Sequence, residues 1–177
     1  MKRTIFLSLL LAGLIVIPAM AQDAPETQTA DFDSTRPQFL SFSIGIPIGY
    51  DLYAEEVAAG FHFGLTFAVM DTMQIGFDRF AVRNEDPALD DFYANLFRIG
   101  FALGEQFGFG FGFGSATTPG IAGTVPVIGL GAYWNMFQSR AANGLAYGLG
   151  LRVDYIAPTE AFAEGVVLFT IRASFGL

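Results

Sequence analysis

The stretch "FGFGFGFG" at residues 107 to 114 puts a phenylalanine at every odd position and a glycine at every even one. Only an extended strand collects all four rings on one face, because successive side chains of a strand point to opposite sides, whereas a helix would scatter them around its axis. Any fold for this chain must therefore house a strand with one bulky apolar face and one face bearing no side chain.

The same period of two recurs in segments from residue 39 to the end. Phe42, Ile44, Ile46, Ile48 and Tyr50 oppose Ser41, Ser43, Gly45, Pro47 and Gly49, and Phe61, Phe63, Leu65, Phe67 and Val69 oppose His62, Gly64, Thr66 and Ala68. Over 73 to 83, Met73, Ile75 and Phe77 oppose Gln74, Gly76 and Asp78, after which Phe80 and Val82 take over as the apolar members. That change of phase predicts a bulge near Arg79. Further segments at 93–104, 107–114, 125–136, 144–155 and 166–177 bring the predicted strands to eight. Two-residue connections at Asp71-Thr72 and Glu105-Gln106 and a moderate one at 138–143 alternate with long ones at 51–59, 84–91, 115–123 and 156–164. Such alternation predicts an up-and-down antiparallel sheet, with short and long turns at opposite ends.

Side-chain size decides which face points in. An eight-stranded barrel has an interior just wide enough for side chains to fill. The Phe, Leu and Ile face would overfill it and leave a water-facing surface made largely of glycine, which disfavours a soluble lipocalin-like barrel. With the large residues outward, the apolar face meets hydrocarbon and every backbone polar group pairs between strands of a closed barrel. The phenylalanines of residues 107 to 113 then touch lipid, and the glycines leave room in a crowded bore. Composition agrees: 53% of residues are hydrophobic, 20 are Phe, and only 15% are charged, against roughly 25% in globular domains.

The first 21 residues read as an export signal, with Lys2 and Arg3 ahead of an apolar run from Ile5 to Ile17 and small residues at Ala19 and Ala21. Residues 22–38 are polar, acidic and aperiodic, a flexible periplasmic lead-in to a barrel over 39–177. Without the signal, seven Arg face 17 acidic residues, a net charge of −10, which makes nucleic acid an unfavourable partner. Cysteine is absent, excluding disulfides and thiolate metal sites. After residue 21 no run is long and apolar enough for a spanning helix. Aromatic placement adds a second indication: Tyr50, Tyr53, Tyr93 and Tyr155 fall near one end of the strands, and Trp134 and Tyr147 near the other. Two girdles of amphipathic rings suit two membrane interfaces.

On these features and the closing stretch "VVLFTIRASFGL", residues 39 to 177 resemble the small eight-stranded outer-membrane barrels of bacteria, the OmpA transmembrane domain, OmpX and OmpW-like group. The resemblance implies an integral outer-membrane protein whose last strand addresses the barrel-assembly machinery. Where such strands normally end in an aromatic residue, this one ends in Leu177, with Phe175 two before it. Members of the group differ in function, so the resemblance implies an architecture more than an activity.

Five charged residues, Asp78, Arg98, Arg152, Asp154 and Arg172, fall on the inward phase, where unpaired charge is costly. Mirroring the third and fourth strands brings Asp78 level with Phe97 and Arg98, the most specific pair expected. A structural network filling the bore is the plainer reading, and a charged constriction along a solute path the sharper one. His62, the single histidine, lies inward with Ser41, Ser43 and Asp51 on the neighbouring hairpin arm, but no motif marks a nucleophile. The long loops carry Asp51, Glu55, Glu56, Glu85, Asp86, Asp90, Asp91, Glu160 and Glu164, with Arg83 as counter-charge. They suit a solvated rim, divalent-cation bridging to lipid headgroups or a basic partner. "NEDPALDD" lacks the spacing of a calcium loop, and no cofactor is expected. The function expected is non-enzymatic, in membrane integrity or surface interaction, with outer-membrane lipids and a surface partner as its contacts. A narrow channel for small solutes is the alternative.

Overall fold

A computed structural model describes residues 40–52, 56–84, 91–104, 106–117, 123–141, 145–160 and 165–177. The expected signal (1–21) and lead-in (22–38) lie outside them, as do Tyr53, Glu55, Glu85, Asp86, Asp90 and Glu164. Eight strands, β1 (Leu40–Asp51), β2 (Glu56–Ala68), β3 (Met73–Asn84), β4 (Phe92–Leu103), β5 (Phe107–Thr117), β6 (Thr124–Arg140), β7 (Ala146–Pro158) and β8 (Val166–Gly176), run up and down in chain order. They close into a barrel in which β8 pairs antiparallel with β1. Leu40 and Leu177 meet at one end, the near end, through a hydrogen bond from Leu177 N to Leu40 O of 2.9 Å.

The strands reach further than the alternation indicated. β1 and β2 continue to Asp51 and Glu56, so the first far-end connection shrinks to residues 52–55. β6 extends to Arg140 rather than 136. The bulge expected near Arg79 does not occur: β3 pairs without interruption with β2 from Asn84 to Gln74 and with β4 from Val82 to Met73. Phe80 and Val82 instead turn into the bore and Arg79 turns out. The phase never changed; the apolar residues of this strand occupy both faces, one after the other. The irregularity lies in β6, where the register shifts between Asn135 and Phe137 and both Met136 and Phe137 are exposed.

Lateral register fixes the barrel's shape. Stepping from Ser41 through Thr66, Gly76, Arg98, Gly112, Gly129, Ile156 and Val166 returns to β1 at Asp51, a stagger of ten residues (51 − 41). Eight strands with that stagger tilt by about 40° from the axis. Residues at one height therefore come from different registers on each strand.

The outer surface is largely apolar on every strand. Ile46 is 63% exposed, Phe113 57% and Phe61 53%, and the odd-numbered phenylalanines of β5 all look outward. Neighbouring strands add stacked rings, Phe101 on Phe109 at 5.4 Å and Phe107 on Trp134 at 6.0 Å. Soluble monomers rarely expose contiguous apolar patches beyond a few hundred Å²; a belt of this extent needs a solvent other than water.

Inside, three layers follow one another along the axis. Toward the far end the inward residues are apolar and sealed from solvent: Phe80, Val82, Phe92, Ala94, Leu96, Ala116, Val127, Ile156, Val166 and Leu168 form one cluster, all at most 2% exposed. Charged residues occupy the middle. Toward the near end Gln74, Tyr133, Asn135, Arg172 and Ser174 are only half-buried, among glycines.

Candidate functional site in the barrel lumen

The charged layer is built by four strands. Asp78 enters from β3, Arg98 from β4, Arg152 and Asp154 from β7, and His62 from β2, all on the inward phase. β3 and β7 lie four strands apart in a barrel of eight, so a contact between them crosses the full width of the bore. Arg152 makes that crossing: Nη2 stands 2.5 Å from Asp78 Oδ2, and Nη1 donates to Oδ1 at 3.0 Å, a bidentate fork. Its Nε stands 2.7 Å from Asp154 Oδ2. Arg98 bridges the same two carboxylates, with Nε 2.7 Å from Asp78 Oδ2 and Nη2 2.7 Å from Asp154 Oδ1. Two guanidinium groups and two carboxylates thus close a ring of alternating charge. Burial of this kind is tolerable only when each ion has opposite charge on more than one side.

Register places Asp78 opposite Leu96, with Gly76 opposite Arg98, one to two residues from the pairing that mirroring the strands gives. The pair forms along the diagonal, because an arginine side chain is long enough to reach over the step. Gly131 makes the ring possible in a bore this narrow. A Cβ there would collide with Arg98 Nη1 and Asp154 Oδ1.

His62 completes the layer. It is fully buried, with Nε2 2.9 Å from Asp78 Oδ1 and its ring 4.7 Å from that of Phe80. Phe80 also lies under the Arg152 guanidinium at 5.6 Å, so the apolar plug rests directly on the ions. An imidazole that donates from Nε2 leaves Nδ1 as an acceptor, and this atom has no hydrogen-bond partner. His62 thus sits between the apolar plug and the salt-bridged ring, with none of its surface exposed.

Arg172 does not join the ring. It stands in the near half, donating from Nη2 to Asn135 Oδ1 at 2.7 Å and covering the Tyr133 ring at 4.7 Å. Gln74 Nε2 donates to Tyr133 Oη at 3.0 Å. The alternation carried no signal for this polar group, since Gln74 and Tyr133 lie 59 positions apart. Gly108 accommodates it, because a Cβ there would run into the Tyr133 ring. Among the described residues, no group of three or more His, Cys, Asp or Glu side chains is arranged to hold a metal ion.

The five expected girdle residues that are described lie on the outward phase toward the strand ends. Tyr50, Tyr93 and Tyr155 occupy the far parts of β1, β4 and β7, where Tyr93 Oη donates to Asp91 Oδ2 at 3.1 Å. Trp134 and Tyr147 occupy the near parts of β6 and β7, Tyr147 6.2 Å from Phe137.

Comparison with known proteins places the fold. No protein-family model matches the chain, and no curated protein matches it. Among solved structures it is similar to neisserial surface protein A (NspA), at 12% identity and a TM-score of 0.52, covering 77% of this chain and 93% of that one. It is also similar to Ail, the attachment invasion locus protein of Yersinia pestis, at 14% identity and a TM-score of 0.46, covering 77% and 95%. A third similar structure is a de novo designed transmembrane β-barrel, at 14% identity and a TM-score of 0.44, covering 81% and 99%. The chain has the fold of the small eight-stranded outer-membrane barrels, the fold it shares with NspA.

Proposed function

We propose that this protein is an integral outer-membrane barrel without enzymatic activity, which does not conduct solutes and serves membrane integrity or interaction at the cell surface. In this reading the belt of Ile46, Phe61, Phe113 and their neighbours faces acyl chains, the near end with both strand termini faces the periplasm, and the acidic far end faces outward. The barrel-assembly machinery that acts on barrels of this group, outer-membrane lipids, and a surface partner met by the loops are its proposed contacts.

One observation carries the choice over a channel. The bore is blocked twice in series, by the ion ring reaching from β3 to β7 and by the apolar plug of Phe80, Leu96 and Leu168, each 0% exposed. A hydrated ion would have to break several buried ion pairs and then cross a dry constriction. Planar-bilayer recording on the wild type and on Arg98→Ala tests this. Neither is expected to carry current, because the plug survives loss of the arginine; steady conductance through the wild type would overturn the proposal. Unheated and boiled samples in detergent should also migrate differently on a gel, as a closed barrel resists unfolding.

A further inference from the structure

Three polar residues interrupt the apolar belt in one place. Arg79 of β3, Asn95 of β4 and Ser115 of β5 are direct lateral neighbours, Arg79 opposite Asn95 and Asn95 opposite Ser115. All three lie on the outward phase. On the other side of the barrel, exposed outward residues within five of the far strand ends include Ile48 of β1, Phe61 of β2 and Phe169 of β8, all apolar. Arg79 has no ion pair or hydrogen bond among the described residues, and Phe63 stands directly beside it on β2. Four residues further along the same face, Arg83 is exposed at the rim, loosely paired with Asp91 at 3.8 Å.

From this arrangement we infer that the outer face of β3 to β5 is a binding site for a lipid headgroup bearing a phosphate monoester. The inference rests on the proposed membrane orientation. Arg79 stands five residues inside the end of β3 at Asn84, about 12 Å below that end at a rise of 3.3 Å per residue and a tilt near 40°. Ala81, two residues nearer the rim, lies opposite Tyr93 of the far aromatic girdle, so the guanidinium lies just beneath the proposed interface, where a cation left bare among acyl chains is unfavourable. A phosphate held by its own acyl chains can sink to meet the guanidinium, whose planar donors match phosphate oxygens bidentately. Asn95 supplies an amide donor and Ser115 a hydroxyl beside it. A headgroup phosphate is held at this level by its own acyl chains, whereas a dissolved phosphate ion has no such anchor, so the lipid is the source.

The test compares urea unfolding of the wild type and Arg79→Leu in three settings: vesicles of phosphatidylcholine, the same vesicles doped with phosphatidic acid, and undoped vesicles in buffer containing inorganic phosphate. Doping should raise the wild-type folding equilibrium about tenfold, as charged hydrogen bonds of this type do, and leave Arg79→Leu unchanged. In undoped vesicles Arg79→Leu should equal or exceed the wild type, since it removes a bare cation from the lipid face. Asn95→Leu should lose part of the doping effect. An identical response of wild type and Arg79→Leu, or full reproduction by inorganic phosphate, would overturn the inference. So would cross-linked pairs that form through this face whatever the headgroup, which would make a second copy the occupant. Failure to insert, seen as unchanged gel mobility on boiling, would remove the orientation and this inference together, whereas insertion without headgroup dependence would remove the inference alone.

Discussion

The far and near halves of the bore are lined by the same phase of the same eight strands, yet they are different materials. The far half is packed like the core of a water-soluble domain, with Phe80, Leu96, Ile156 and Leu168 at most 1% exposed. The near half is polar and half-open, with Gln74, Tyr133, Asn135 and Arg172 sharing space with glycines. Between them the ring of Asp78, Arg98, Arg152 and Asp154 is the boundary, dry on one side and adjacent to partly accessible groups on the other. Closure in this barrel is therefore a property of axial position. Strand periodicity decides in or out; the size and polarity of each inward residue decide whether its level is sealed.

The largest effect is expected at the boundary itself. Asp78→Ala removes the carboxylate shared by Arg98, Arg152 and His62, leaving buried positive charge opposed by Asp154 alone. Breaking one partner of a buried pair costs about 3–5 kcal/mol. The unfolding midpoint in urea, with the slope unchanged, should fall accordingly. A loss below about 1 kcal/mol, the range of exposed pairs, would mean that water reaches this level and the two halves are continuous.

Next in size is a truncation within the plug. Leu96 is fully buried and lies against Gly129, where a Cβ would touch it. Gly112, Gly114 and Gly129 beside it have no side chains to fill the space, so Leu96→Ala should cost about 3 kcal/mol, within the usual range for a core leucine. The ion ring below stays intact, so bilayer recordings should remain silent. Current through Leu96→Ala would show that the plug alone had closed the bore.

Much of this architecture was legible from side-chain size and period. Strand number, order and the outward orientation of the phenylalanines follow from the alternation, since only a closed barrel in an apolar medium satisfies both faces. Axial layering was not. Phe80 and Val82 looked like a change of phase because they are as apolar as Met73, Ile75 and Phe77 on the opposite face of the same strand. Asp78 was the available signal: with no residue inserted, the inward phase of Gln74, Gly76 and Asp78 continues through Phe80 and Val82. The reach of the charged side chains was equally hidden. Asp78 and Arg152 are 74 positions apart, and only the ten-residue stagger, which no single strand encodes, brings them to one height.

The smallest effect tests the near half by deleting one oxygen. Tyr133→Phe removes the acceptor of the 3.0 Å bond from Gln74 Nε2 while leaving the ring beneath Arg172 at 4.7 Å. A net hydrogen bond contributes about 1 kcal/mol, and leaving a buried partner unsatisfied raises that to about 1–3 kcal/mol. Gln74 is half-buried, so water entering from the near end can replace the lost oxygen, and the cost should stay at or below about 1 kcal/mol. Urea unfolding of Tyr133→Phe beside Leu96→Ala measures the contrast directly. A cost above about 2 kcal/mol would place Gln74 in a dry environment, and the near half would then be sealed as tightly as the far one.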